Sequence, residues 1–441
     1  MKKYILLPVM MVAAMLSTTA VKAQEDVNPL LKYVNKENDL KASIGGRMFA
    51  DVAYYHTEWT PMNSGAAITD ARIHASLTYG KLYIYADFGF GKGEFSQKNL
   101  FAQYTFKESL KGMSLVLETT QEKREGIPKA LIPLVMIGTW ITHLFGGSAG
   151  REGVAVQIGA TLSHNISKKL NLPNNGKVMA IVGMSAGFGG LFQTPLAALF
   201  FAIEVITVGV LEYEALLPAF VGAYVASTTS HLLGLEKFFV NINDTIPIDE
   251  KAVVKIIILG IAFGLAGKAF SYSLSKLKVF MGNKFKNPYV RIGVVSIPLA
   301  VLLFIVLGGR YCGLGTNIIN NCFNDGTVYS YDFILKIAFT VITLSIGFQG
   351  GEVTPLFAIG ASLGYVLGGV MGLNPVVTAS LGYAAVFGSA TNTLIAPMLI
   401  GLEVFGSQNM TMFVVVCIIA YVLNGNKSIY SAQEIFKGRL V

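Results

Sequence analysis

Two hydropathic patterns divide this chain of 441 residues. Between residues 24 and 107, polar and apolar side chains alternate and aromatics are frequent. The runs Arg47-Met48-Phe49-Ala50-Asp51-Val52-Ala53-Tyr54 and Ala71-Arg72-Ile73-His74-Ala75-Ser76-Leu77-Thr78-Tyr79 illustrate it, and Leu82–Phe88 and Leu100–Phe106 continue it. A period of two predicts strands, here about four of them. After Lys107 the alternation stops. Apolar runs follow at about 129–147, 178–208, 213–235, 252–275, 291–308, 330–348, 355–372, 376–405 and 409–424, and they predict helices to the end of the chain. Several runs are interrupted. Gly183–Val205 contains Gly187, Gly189, Gly190 and Pro195, so it reads as two short helices and not as one rod.

The helical part repeats itself. Gly183–Val205 aligns without gaps to Gly382–Val404, an offset of 199 residues. Gly183/Gly382, Phe188/Phe387, Thr194/Thr393, Ala197/Ala396 and Glu204/Glu403 are identical pairs. Upstream, Glu152 and Glu352 each follow a glycine turn and precede an Ile-Gly-Ala triplet, at 158–160 and 359–361. Duplicated halves with broken helices are a transporter architecture. Half-helix N-termini near the bilayer midplane present free N–H groups and the positive dipole end to an anion.

Composition removes the soluble and nucleic-acid readings. Hydrophobic residues make up 53% and charged residues 14%, with a mean hydropathy of +0.56. A soluble chain of this size needs more charge to cover its surface. The net charge of +8 comes from loops beside apolar spans, as in Lys276, Lys278, Lys284, Lys286 and Arg291. That is the positive-inside pattern of membrane proteins, and no basic face interleaved with aromatics points to nucleic acid. Cys312, Cys322 and Cys417 form neither metal spacing nor a disulfide framework. No cofactor site, nucleophile or phosphate loop stands out, so an enzyme is not expected.

The two patterns read as two unlike pieces in one chain. Lys2 and Lys3 precede an apolar run from Tyr4 to Leu16, and Val21 and Ala23 set a small-residue cleavage site, so residues 1–23 read as a signal peptide. With that leader, the alternating segment 24–107 resembles the start of a phosphate-selective outer-membrane porin. A soluble β-rich domain is the other reading. About four strands cannot close a barrel, which needs at least about eight, and an open sheet cannot lie in lipid. A porin start and a helical carrier belong in different membranes. The expectation is a fused or recombined reading frame with its junction near residues 105–111.

From about residue 109 to 441 the chain resembles the CLC family of chloride channels and antiporters. The resemblance rests on Gly146-Gly147-Ser148-Ala149-Gly150-Arg151-Glu152-Gly153-Val154-Ala155-Val156-Gln157. It rests also on Phe192–Ala198 leading to Glu204, on Gly350-Gly351-Glu352-Val353-Thr354-Pro355, and on Ser428-Ile429-Tyr430-Ser431-Ala432. It implies a mainly α-helical polytopic membrane protein of duplicated halves with broken helices, preceded here by a short β-rich segment. The first half would lack its opening helices. Gly150, Arg151, Glu152 and Gly153 would form the anion and proton turn. Glu152 would be the gating glutamate, which competes with the anion and carries the proton. Tyr430 would touch the central anion through its hydroxyl, a neutral donor that does not trap a halide.

Two departures from the chloride members resemble the fluoride/proton antiporter branch. Lys111-Gly112-Met113-Ser114-Leu115 stands where a Gly-Ser-Gly-Ile-Pro turn is usual, and Gly-Gly-Glu-Val-Thr-Pro replaces an uncharged Gly-x-Phe-x-Pro run. Met113, Glu352 and Thr354 would then line the fluoride path. The resemblance implies a halide and a proton as partners, a lipid bilayer as surroundings, an inner or plasma membrane location and a homodimer. The competing readings are a chloride channel or chloride/proton antiporter, an outer-membrane porin fragment and a non-functional chimera. Glu204 and Glu403 end apolar helices and read as caps or interface partners, and His143 and His164 as structural.

Overall fold

Alternation in the first segment does produce strands, five in number. β1 (Leu31–Asn35), β2 (Leu40–Ala53), β3 (Gly65–Tyr79), β4 (Leu82–Gly91) and β5 (Glu94–Tyr104) form one antiparallel sheet in sequence order. The computed structural model describes residues 31–35, 40–53, 65–79, 82–91, 94–104, 112–170, 176–247 and 249–436. The expected signal peptide at 1–23 and the expected junction at 105–111 lie outside the described residues. The chain divides into two units, Met1–Leu110 and Lys111–Val441.

Register explains the amphipathic sheet of the first unit. Leu31 pairs with Ile44, Ile44 with Ala75 and Ala75 with Ala86, so these positions share one face. Leu31, Tyr33, Ile44, Met48, Ile73 and Leu77 are exposed on that face, while Lys32, Ser43 and Ser76 occupy the other. Ser43 and Ser76 join by a hydroxyl hydrogen bond of 2.7 Å. Side chains alternate across a strand, so a sheet with one apolar side follows directly from period two.

The second unit contains fourteen α-helices among the described residues. α1 (Gly112–Thr120), α2 (Leu131–Leu144), α3 (Glu152–Lys169), α4 (Lys177–Phe192), α5 (Pro195–Glu204) and α6 (Leu216–Leu232) come first. α7 (Glu250–Lys284), α8 (Pro288–Ile305), α9 (Thr316–Phe323) and α10 (Asp332–Ser345) follow. α11 (Val353–Met371), α12 (Pro375–Thr391), α13 (Ile395–Phe405) and α14 (Met410–Asn424) complete it. A short parallel pair, β6 (Thr207–Val208) with β7 (Glu434–Ile435), fastens the C-terminal segment. Hydropathy misses α1 and α9. α9 is eight residues long and half polar, and it buries only Ile318, Ile319 and Cys322.

Among the described residues three helices are long and apolar enough to cross a membrane, Glu250–Lys284, Pro288–Gly309 and Val353–Met371. α8 buries only Leu299 and Leu303 and exposes Val294, Ile297, Val301, Leu302, Phe304 and Ile305. An apolar face of that extent suits hydrocarbon and not water. α5 has ten residues, about 15 Å of helix, half a bilayer core.

The sequence repeat is a spatial repeat. α3 crosses α4 where Gly159 meets Gly183, and α11 crosses α12 where Gly360 meets Gly382. A β-carbon on any of the four would sit 2.1–2.2 Å from the partner glycine's carbonyl oxygen. Only glycine permits backbones this close. Both halves also break their next helix in the same way. Gln193 ends α4 in the left-handed region at φ 54°, and Asn392 ends α12 there at φ 56°.

Glu204 and Glu403 then cap one another's half. Glu204, ending α5, accepts hydrogen bonds from the N–H groups of Leu394 (2.5 Å), Ile395 (3.1 Å) and Ala396 (3.2 Å) at the start of α13. Glu403, in α13, accepts from Leu196 (3.1 Å) and Ala197 (2.9 Å) at the start of α5. A negative charge on unpaired N–H groups stabilises each helix end.

Candidate functional site

The two glycine turns meet. The Gly150 N–H donates to the Gly351 carbonyl at 2.6 Å, and the Gly351 N–H donates to the Gly150 carbonyl at 2.7 Å. This two-residue antiparallel bridge sets the N-termini of α3 and α11 side by side. Neither glycine can be replaced without displacement. A β-carbon on Gly150 would lie 2.2 Å from a Glu152 carboxylate oxygen, and one on Gly351 would lie 2.8 Å from the Gly153 nitrogen.

Glu152 opens α3 and is 2% exposed. Its carboxylate does not simply cap its own helix. Oε2 accepts from the Arg151 N–H at 2.9 Å and from the Thr354 N–H at 3.3 Å, and Oε1 accepts from the Thr354 hydroxyl at 2.5 Å. Thr354 lies in the first turn of α11, so an acid of the first half occupies the helix tip of the second. The Arg151 side chain is exposed, and what that residue brings to the turn is its N–H. Gly153 packs against the other glycine turn, where a β-carbon would stand 3.7 Å from the Glu352 carboxyl. The two acids therefore flank the glycine bridge.

Tyr430 is buried at 7% exposure. Its position is set by backbone and side-chain bonds that draw on both halves. Ile429 N–H donates to the Ala390 carbonyl at 3.0 Å, and Gln433 donates to the carbonyls of Val205 (3.0 Å) and Thr391 (3.1 Å). The Tyr430 N–H donates to the Ser428 hydroxyl at 3.1 Å, and its ring meets Phe201 edge-on at 6.4 Å. Among the described residues its hydroxyl has no hydrogen-bond partner. Met113 belongs to this end of the site, since its neighbour Ser114 contacts Ser431 hydroxyl to hydroxyl at 3.3 Å. Gln121 of α1 donates to the Ala432 carbonyl at 2.8 Å.

Sequence reasoning missed two neighbours. Tyr383, 3% exposed, stacks on Phe357 of α11 with ring centroids 3.9 Å apart. Lys336 is fully buried in α10. A lone cation within the apolar run 330–348 is the signal that could have found it, because a charge inside a membrane span is costly to keep. Among the described residues no group of His, Cys, Asp or Glu is arranged to hold a metal ion.

The arrangement has a definite chemical capacity. Two backbone N–H groups and one hydroxyl converge on a single carboxylate at the α11 tip. Such donors serve a small anion equally well once the carboxylate withdraws. Comparison with known proteins gives the family. The sequence profile of the voltage gated chloride channel family matches residues 99–425. A chloride/fluoride channel protein of Pseudomonas syringae pv. tomato is 34% identical over 332 residues, 74% of this chain and 73% of that protein. The crystal structure of a CLC-type fluoride/proton antiporter superposes with a TM-score of 0.73 at 49% identity, covering 74% of this chain and 83% of the other. A slow cyanobacterial chloride/proton antiporter shares the fold, with a TM-score of 0.60 at 21% identity, over 73% of this chain and 79% of that one. The chain belongs to the voltage-gated chloride channel (CLC) family of multi-pass membrane proteins.

Proposed function

We propose that the helical unit exchanges fluoride for protons across a membrane, with Glu152 as the movable acid. The seat of the Glu152 carboxylate on Thr354 carries this reading. A charged Glu152 holds the donors at the α11 tip. A halide that reaches the tip competes for them, and protonation of the displaced carboxyl removes its claim. The acid then releases its proton to the other side and returns. Anion and proton thus use one set of donors alternately, which is the condition for coupled exchange.

Fluoride as the ion is supported by the residues that replace the chloride pattern. Fluoride is small and strongly hydrated, so it needs strong donors to replace its water. Thr354 supplies a hydroxyl, Tyr430 an unused one, and Glu352 supplies another when protonated. The 49% identity to a protein described as a fluoride/proton antiporter points the same way. Gly150, Arg151 and Gly153 shape the turn, and Met113 lines the path beside Tyr430. We assign the unit to the inner or plasma membrane as a homodimer, and we read residues 24–107 as a porin-like fragment joined to it by recombination. The amphipathic sheet supports the porin-like reading.

Proteoliposomes loaded with fluoride or chloride test the function, with external halide and pH recorded together. Fluoride efflux with opposed proton movement is expected, and chloride efflux is expected to be much slower. Glu152→Gln is expected to keep halide flux and lose proton movement. Proton coupling that survives this change refutes the role of Glu152.

A further inference from the structure

Lys336 is 0% exposed, within α10. Its ammonium donates to the Ser148 hydroxyl (3.0 Å), the Tyr311 carbonyl (3.1 Å) and the Gly313 carbonyl (2.7 Å). Three acceptors use all three of its N–H bonds. None of the acceptors is charged. The nearest acid on its own helix, Asp332, is already engaged. Arg310 donates to both Asp332 oxygens at 2.9 and 2.6 Å, and the Tyr311 hydroxyl and Tyr329 N–H bind them as well. Among the described residues Lys336 has no carboxylate within ion-pair distance. A buried ammonium without a counter-charge costs several kcal/mol, so its retention needs an account.

The loop it grips supplies one. Ser148 lies two residues before Gly150, and its hydroxyl bonds to Thr340 at 2.9 Å while its N–H bonds to Thr343 at 3.2 Å. The Gly313 N–H donates to the Gly147 carbonyl at 3.0 Å. Lys336 thereby ties a second-half helix to the first-half turn that carries Glu152. We propose that Lys336 is a positioning residue of the anion pathway: its ammonium, held by three neutral acceptors, fixes the Ser148–Gly150 turn and favours whichever anion, carboxylate or halide, occupies the α11 tip. This rests on the halide reading above. It adds the counter-charge that the exchange of Glu152 for a halide needs.

The test is fluoride binding by titration calorimetry on the purified full chain carrying Glu152→Gln, so that the movable acid cannot compete. Adding Lys336→Met is expected to weaken fluoride binding about tenfold, a loss that removal of one nearby charge can produce at an effective dielectric near 20. Lys336→Arg, which keeps the charge, is expected to bind within about threefold of the parent. A clamp without an electrostatic role predicts the opposite pairing: Met variants that fold and bind normally, or Arg variants that fold and do not bind. Either result overturns the inference. If Lys336→Met does not fold, the arginine variant alone decides by the same criterion. Parent protein that neither binds nor moves any halide would instead remove the transport reading itself.

Discussion

At the scale of single residues, the site depends on which donors a carboxylate and an anion can share. Thr354 gives the Glu152 carboxylate both an N–H and an O–H, and in the proposed exchange the anion takes over these donors. A hydrogen bond to a charged group is worth about 1.5–3 kcal/mol. Thr354→Val keeps the shape and removes the hydroxyl. Fluoride turnover in proteoliposomes is expected to fall about ten- to a hundredfold, and Thr354→Ser is expected to retain most of it. A valine variant that runs at the parental rate would show that the backbone N–H alone suffices. Tyr430 acts differently. Its hydroxyl is unpaired among the described residues, so Tyr430→Phe tests a donor whose loss breaks no protein contact.

At the scale of elements, the broken helices are stable because each half closes the other. α5 and α13 are too short to cross a bilayer, and each starts at a helix break whose N–H groups need acceptors in a medium without water. Glu403 serves α5 and Glu204 serves α13. Glu204→Gln and Glu403→Gln each remove the charge and turn a donor toward N–H groups. Each is expected to cost about 1–2 kcal/mol, seen as similar falls in the thermal midpoint of the detergent-solubilised protein. A large fall for one with none for the other would contradict the reciprocal arrangement. The glycine crossings are stricter. Gly360→Val places a β-carbon where the Gly382 carbonyl stands, and it is expected to abolish the folded species on size-exclusion chromatography.

At the scale of the whole molecule, two units with different solvent requirements occupy one chain. The helical unit exposes apolar faces suited to a bilayer, and the sheet unit exposes one apolar face of its own. Membrane fractionation separates the assignments. The full chain is expected in the inner membrane, resistant to alkaline extraction, and an outer-membrane location with heat-modifiable migration would favour the porin reading. Genomic DNA across codons 100–115 tests the recombination. A continuous read shared by independent isolates would count against an artefact.

Much of this was legible without coordinates, for a local reason. Periodicity is a property of covalent neighbours, so period two announced the sheet and apolar runs announced most of the helices. α9 escaped because eight half-polar residues carry too weak a pattern, and β1 because five residues at the start of the segment do. The offset of 199 residues showed that the halves are equivalent, and the glycine-glutamate turns marked where each begins. Equivalence does not say which half a side chain serves. That Glu152 reaches Thr354, 202 residues away, that Glu204 and Glu403 exchange helices, and that Lys336 grips Ser148 were decided only by packing. Donors and acceptors on distant helices acquire partners when the backbones close at Gly159–Gly183, Gly360–Gly382 and Gly150–Gly351, and nothing in the local chain encodes the angle at which they do so.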